Sequence, residues 1–381
     1  MICIMHIITG LATGGAETML LKLVSRMDRR RFRAIVVSLT GGGEIGPRIE
    51  AQGIPVHALG MRRGTGSLAG LASLVQLMFR YQPEIVQGWM YHGNLAGQLG
   101  SLLAPGRRAV LWNIRETRHG LELDRPLTSM VVWLGARLSF LPARIVNNSR
   151  SSARAHEAGL GFPPEKWRLL PNGFDTEEFT PSEDARRSVR SELGVAPDTV
   201  LIGLVGRYHP VKDHAGFLRA ATDLLRTHPD VRFVLVGDGV DAGNRELVDQ
   251  LTDLRLRRAV SLLGRRDDVA RLTAAMDVAT SSSKAEGFAN VVGEAMSCGV
   301  PCVVTDVGDS AWIVAETGRV VPARAPEALA AAWAELIELG ADGRRALGEA
   351  ARRRVIEGFS LASVVSKYEA LYEEVLSQGH G

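Results

Sequence analysis

The sequence predicts an α/β protein built of two doubly wound domains, each a parallel sheet with helices on both faces. Three observations carry this expectation. Short β-branched runs alternate with longer helical patterns along the chain, which is the signature of βαβ units. The strand candidates are almost continuously apolar, as strands covered on both faces must be. The 381 residues exceed one small module, since about 150 residues make a typical domain.

In the first half, strands are expected over Ile2–Thr9, Ala34–Thr40, Val56–Leu59, Glu84–Gln87, Ala109–Ile114 and Ile145–Asn147. A second set begins with Val200–Gly206 and continues with Arg232–Gly237, Val260–Gly264, Asp277–Ser281 and Cys302–Thr305. The charged stretch Glu177–Asp198, carrying Pro181 and Pro197, separates the two sets, so the inter-domain connection falls just before or within it. The chain closes on helical patterns over Glu327–Leu339, Gly343–Glu357 and Leu361–Leu376. Helices with no strand between them cannot all belong to an alternating fold, so the last is expected to pack elsewhere.

Apolar residues make up 46% of the chain and charged ones 23%, which excludes a disordered chain. The net charge of +3 is too small for a dedicated nucleic-acid binder and leaves room for a small anionic ligand. Cys3, Cys298 and Cys302 form neither CxxC pairs nor a metal cluster, and read as buried or unpaired thiols of a cytoplasmic protein. The opening MICIMHIITG lacks a cationic start and a cleavage site, and reads as a core strand, not a signal peptide. Leu127–Leu141 is too short to span a membrane and reads as a buried helix. Arg26, Arg29, Arg30, Arg31 and Arg33 cluster near a helix end, as a solvated face or a contact with the inner face of the cell membrane would.

In open α/β sheets ligands bind beyond the carboxyl ends of strands, so the loops there carry the chemistry. Gly10–Glu17 follows the first strand and opens a helix; Gly14 and Gly15 let backbone N–H groups approach a phosphate. Its spacing matches neither GxGxxG nor GxxxxGK[ST], which disfavours a dehydrogenase or a P-loop. Gly206–Asp213 places Arg207 and Lys212 five residues apart, suited to two adjacent phosphates, and spends one of only five lysines. Gly237–Asp238–Gly239 repeats the close-approach logic. Ser281–Ala295 reads as strand end, turn and helix, with Asn290 as the expected N-cap, Glu286 ahead of the helix and Glu294 within it. Free N–H groups between two carboxylates fit a ligand with hydroxyls at both ends and anionic charge in its middle, as a nucleotide-sugar has. No Asp-x-Asp, HExxH, GxSxG or Cys/His zinc spacing is present, so cations and the helix dipole must stabilise a departing diphosphate without a metal.

Glu286 to Glu294 resembles the E-x7-E motif of retaining GT-B glycosyltransferases of family 4 (glycosyl transferases group 1). The likeness extends through Gly14–Glu17, Pro171–Asp175, Gly206–Arg207 with Lys212–Asp213, and Cys298–Pro301. It is most similar to the branch that builds polysaccharides and glycoconjugates. The resemblance implies two Rossmann-like domains with a ligand cleft between them: 1–175 on the acceptor side, 176–358 binding the nucleotide-sugar donor, and 359–381 a helix returning to the first. It implies that Arg207 and Lys212 bind the diphosphate, Glu294 the ribose and Glu286 the transferred sugar. Amides at Gly14, Gly15 and from Gly287 and Phe288 through Ala289, Asn290, Val291 and Val292 would close the phosphate site, with Gly206 and Gly237 beside it and Gly264–Arg265 near the base. Ala289 stands where relatives often carry proline, which removes neither donor nor acceptor.

In the first domain, Arg115 and His119 are expected beside the reacting sugar, and Tyr91, His92 and Asn94 on the acceptor side. The expected reaction is metal-independent, retaining transfer of a hexosyl unit from an NDP-sugar, most simply UDP-linked, to the hydroxyl of a glycan, a lipid-linked or a small-molecule acceptor. A GT-B nucleotide-sugar epimerase and a non-catalytic sugar-nucleotide-binding subunit are the alternatives. No cofactor and no nucleic-acid partner are expected.

Overall fold

The computed structural model describes residues 1–62, 67–115 and 126–378. They fall into two compact units: Met1–Gly173 with the segment from Leu361 onward, and Phe174–Ser360. The first unit holds strands β1 (Ile2–Ile8), β2 (Phe32–Ser38), β3 (Val56–Ala58), β4 (Ile85–Trp89), β5 (Ala109–Ile114), β6 (Arg144–Asn147) and β7 (Trp167–Leu169). Their order across the sheet is β3-β2-β1-β4-β5-β6-β7, every pair parallel. The second unit holds β8 (Leu201–Val205), β9 (Arg232–Val236), β10 (Val260–Leu262), β11 (Val278–Ser281), β12 (Cys302–Thr305) and β13 (Arg319–Val321), ordered β10-β9-β8-β11-β12-β13 and again parallel. The strand order reverses at β1 in the first unit and at β8 in the second.

The period of two along a strand explains why these runs carry so few polar residues. In β1, Ile4 and Ile8 enter one core and Met5 and Ile7 the core on the opposite face. In the second unit Cys302 and Val304 face one core and Val303 the other. Helix ends follow local chemistry. Ser149 and Ser182 accept from Ser152 N and Ala185 N at 3.0 and 3.1 Å, and Gly161 and Gly194 close their helices in the left-handed region.

The helix Leu361–Gln378 completes the core of the first unit. Val364, Tyr368, Leu371, Tyr372 and Val375 pack among Leu20, Leu23 and Val24 of the helix Gly15–Arg26. Each such buried side chain contributes about 1.5–3 kcal/mol. Polar contacts fix its register: Glu369 accepts from the Asp28 amide at 2.7 Å, Arg31 pairs with Glu373, and Glu374 receives Arg144 at 2.9 Å and Arg168 at 2.8 Å. Arg31, one member of the basic cluster, is therefore spent on holding this helix.

The units divide at Gly173 and Phe174, just before the stretch Glu177–Asp198, which contains the helix Glu183–Leu193, whose Arg186 pairs with Asp277 at 2.8 Å and whose Arg190 joins the same carboxylate. The structure departs from the sequence expectation in three places. Strands β7 and β13 are three-residue additions at sheet edges that no apolar run announced. The helix Pro126–Leu138 is buried on one face only: Val132 packs with Trp112 and Ile145, whereas Met130 and Trp133 are 55% and 56% exposed. Finally, Asn290 is the first residue of its helix and Ala289 takes the cap position. The three cysteines are buried and unpaired, and burial pushes the Cys298 thiol up to about 12.

Candidate active site

At a reversal of strand order the loops leaving neighbouring strands diverge and open a crevice for ligand. In the second unit that point lies between β8 and β11, and the two loops that follow them are Gly206–Asp213 and Ser282–Ala289. The first turns through a short 3-10 segment, Pro210–Lys212, whose start is capped by His209 Nδ1 accepting from Val211 N at 3.3 Å. Asp213 then adopts a left-handed conformation, φ 52°, and caps the next helix by accepting from Gly216 N at 3.1 Å. A non-glycine residue held there carries strain that its surroundings must offset.

Those surroundings are the second loop. Lys284 N donates to Val211 O at 2.7 Å, Ser282 Oγ to Lys212 O at 2.8 Å, and Lys284 Nζ reaches Asp213 Oδ1 at 3.0 Å. The Lys212 ammonium forms an ion pair with Glu286 Oε1, which also accepts from Ser283 Oγ at 2.7 Å. Thr305, at the end of β12, donates to Ser283 O at 2.6 Å and so fixes the loop from below. Both members of the Lys212–Glu286 pair are only partly exposed, where a charge contact is worth more than on an open surface. Oε1 of Glu286 thus receives two donors, the Lys212 ammonium and the Ser283 hydroxyl.

Immediately after this loop comes the helix Asn290–Ser297. Ala289 offers no side-chain acceptor to its first turn, where Val292 N donates to Ala289 O at 3.1 Å, and the N-terminal end of a helix favours an anion. The Phe288 ring is buried and stacks on Phe174 with centroids 6.0 Å apart, so only its backbone can meet a ligand. Glu294 lies one turn into the helix, partly buried, with Val292 buried behind it. Gly308 explains how the loop fits: at φ 57° it lies so close to the chain that a Cβ would sit 2.3 Å from Glu286 O.

The remaining expected donor-side residues line the same edge of the sheet. Gly206 N donates to Val236 O at 2.8 Å, Gly237 N to Gly264 O at 2.9 Å, and Gly264 N to Val240 O at 2.8 Å. Gly237 has φ 156°, and any Cβ there would be 2.1 Å from Gly206 O. Arg207 and Arg265 extend from this edge exposed to solvent. His214, buried beneath the loop with its ring 5.2 Å from that of Tyr208, is held to about 4 by desolvation and stays neutral at neutral pH.

In the first unit, Gly14 caps the helix Gly15–Arg26 in extended conformation, with no side-chain hydrogen bond. The other expected residues there are engaged differently. Tyr91 is 6% exposed and its hydroxyl meets His156 Nε2 at 2.6 Å. Asn94 is 2% exposed and accepts from the Asn113 amide at 3.0 Å. Arg115 bonds Asn172, donates to the Tyr368 hydroxyl at 2.7 Å, and lies 5.0 Å from the Trp89 ring centroid. His92 is partly exposed at the start of the helix Met90–Leu103. His119 lies outside the described residues. Sequence reasoning assigned no role to Ser283 or Asp213; the Ser-x-x-Glu spacing and Lys284, directly after the serines 281–283, were the signals available.

Two parallel-sheet α/β units, the second with a cation–carboxylate pair beside a helix N-terminus, define the GT-B class of glycosyltransferases. The chain belongs to the glycosyl transferases group 1, family 4: the model described as Glycosyltransferase Family 4 matches residues 13–178, and that described as Glycosyl transferases group 1 matches residues 199–339. It is 26% identical over 323 residues to the UDP-Gal:alpha-D-GlcNAc-diphosphoundecaprenol alpha-1,3-galactosyltransferase of Escherichia coli, covering 81% of this chain and 80% of that one. It is 34% identical over 223 residues to the D-inositol 3-phosphate glycosyltransferase of Corynebacterium jeikeium, covering 56% and 53% of the two chains. The fold is similar to that of Anabaena HepE, solved in complex with UDP, with a TM-score of 0.83 and 24% identity over 97% of this chain and 99% of that one.

Proposed function

We propose that this glycosyltransferase moves a hexosyl unit from a UDP-sugar to an acceptor hydroxyl in glycan or glycoconjugate assembly, with retention of anomeric configuration and without a metal ion. The observation that carries the reading is the Lys212–Glu286 pair, braced by Ser283, directly ahead of the Asn290 helix. An ammonium has three donors; one meets Glu286, and the others can meet oxygens of a diphosphate. Arg207 adds a forked cation on the same loop, and the first turn of the Asn290 helix adds backbone N–H groups. In this reading these donors carry the diphosphate charge without a metal ion.

Oε2 of Glu286 would accept from a hydroxyl of the transferred sugar, and Glu294 from the ribose. The bond from the anomeric carbon to the diphosphate breaks while a bond to the acceptor oxygen forms on the same face, and the acceptor proton passes to the leaving phosphate oxygen. The UDP of the HepE complex and the UDP-galactose named for the Escherichia coli relative support a UDP-linked donor; that relative's name also supports a lipid-linked acceptor. Within the first unit, His92 is proposed for the acceptor side. NMR of the chain incubated with UDP-hexoses and lipid-linked or saccharide acceptors tests the assignment: an α-linked product from an α-linked donor is expected. A β-linked product would overturn retention, and interconversion of the donor sugar without acceptor would make the protein an epimerase.

A further inference from the structure

Two lysines stand on the loops that follow β8 and β11, and Lys284 has no part in the proposed reaction. It is one of only five lysines in the chain and directly follows the serines 281–283. Its backbone is fixed, since Lys284 N donates to Val211 O at 2.7 Å, and its ammonium reaches Asp213 Oδ1 at 3.0 Å. The side chain of Asp213 is 4% exposed and that of Lys284 34%, so the carboxylate is the buried member of the pair.

Neighbouring residues are thereby sorted by sign. Lys212 pairs with Glu286 and Asp213 with Lys284, so a cation and an anion on one loop face an anion and a cation on the other. The cap that Asp213 provides, accepting from Gly216 N at 3.1 Å, needs an oxygen and not a charge. His214, the next residue, stays neutral because desolvation holds it to about 4, so it brings no cation to that carboxylate at neutral pH. Removing one member of a buried ion pair leaves the other uncompensated. An uncompensated Asp213 would draw the adjacent Lys212 ammonium away from Glu286 and repel any anion brought to Lys212.

We infer that Lys284 is a positioning residue for the donor diphosphate: by holding the Asp213 carboxylate, it leaves the Lys212 ammonium to Glu286 and to the phosphate oxygens of the donor. The inference rests on the donor site proposed above and adds to it a side chain that acts through Lys212. Calorimetric titration of the full chain with UDP and with UMP reads it, because repulsion from an uncovered carboxylate grows with phosphate charge, whereas a loosened loop weakens both ligands alike. Lys284→Met is expected to weaken UDP at least about tenfold and UMP only about threefold, and Lys284→Gln, a second neutral variant, to do the same. Lys284→Arg keeps the charge and is expected to stay within about threefold of the wild type for UDP. The double variant Lys284→Met/Asp213→Asn removes both charges, keeps an acceptor for Gly216 N, and is expected to recover UDP affinity to within about threefold. Thermal unfolding of each variant shows that it is folded before titration. Wild-type UDP affinity in Lys284→Met, equal losses for UDP and UMP, or a double variant as weak as Lys284→Met would overturn the inference, and with UDP still weakened in Lys212→Ala the proposed function would stand. UDP affinity unchanged in both Lys284→Met and Lys212→Ala would place the donor elsewhere and remove both.

Discussion

Around β8 the polar side chains stand on loops beyond the strand ends, where Lys212 meets Glu286 and Lys284 meets Asp213. Around β1 they stand within the strands: His6, Gln87 and Asn113 are fully buried, and Tyr368 and Tyr372 of the C-terminal helix bond Asn113 and Gln87. Both units reverse their strand order, yet among the described residues only the second unit's reversal is bordered by charged side chains paired loop to loop. In the first, burial turns the polar atoms into fasteners for a helix that arrives from the far end of the sequence. A polar residue at a strand end thus reads as chemistry or as packing according to what the rest of the chain brings to it.

The sharpest separation of the two regions is catalytic. Lys212→Ala and Glu286→Ala are each expected to lower turnover by about 10²–10³ while leaving the circular dichroism spectrum unchanged, because each removes a preorganised charge. Ser283→Ala leaves Glu286 held by Lys212 alone, so a loss of about tenfold in kcat with a nearly constant donor KM is expected, and Ser283→Thr should restore it. A change confined to thermal stability would give Ser283 a purely structural part.

In the first unit the order of effects reverses. Tyr368→Phe leaves the Asn113 amide and Arg115 without their shared hydroxyl acceptor, and should cost about 1–3 kcal/mol in chemical unfolding with kcat unchanged. A fall in kcat without a fall in stability would move this cluster into the active site and erase the contrast.

The smallest effect is shared by both units. Desolvation lowers His6 to about 3 and His214 to about 4, from an ordinary value of 6.5. Below pH 6.5 the unfolded chain binds protons that the folded chain refuses, so this contribution to stability is complete above pH 6.5 and falls as pH drops toward 4. Urea titrations from pH 7 to pH 5 should show a slope of up to about 1.4 kcal/mol per pH unit for each histidine. His214→Phe should remove one share, and a stability independent of pH across that range would contradict the burial of both rings.

Particular residues show why some of this was legible from sequence. The apolar runs of β1, β8 and β12 announce themselves because both faces are buried, and the Glu286–Glu294 spacing survives as a linear pattern because loop and helix are contiguous. β7 and β13 were illegible: three residues at a sheet edge gain their strand conformation from a neighbour, not from their own pattern. Tyr91, Asn94 and Arg115 were read as open to ligand because nothing local reveals that His156, Asn113 and Tyr368, up to 253 residues away, occupy their polar atoms. Ser283 was overlooked for the opposite reason, since a serine among three serines carries no distinguishing signal until its hydroxyl is seen on Glu286.

Calorimetric titration of the full chain with UDP, for the wild type, Lys212→Ala and Arg115→Ala, weighs the two regions against each other in one binding measurement. The account predicts that Lys212→Ala weakens UDP at least about tenfold, through loss of a charge-assisted contact, while Arg115→Ala binds as the wild type does. Wild-type affinity in Lys212→Ala, or its loss in Arg115→Ala, would place the diphosphate away from the β8 loops and contradict the account.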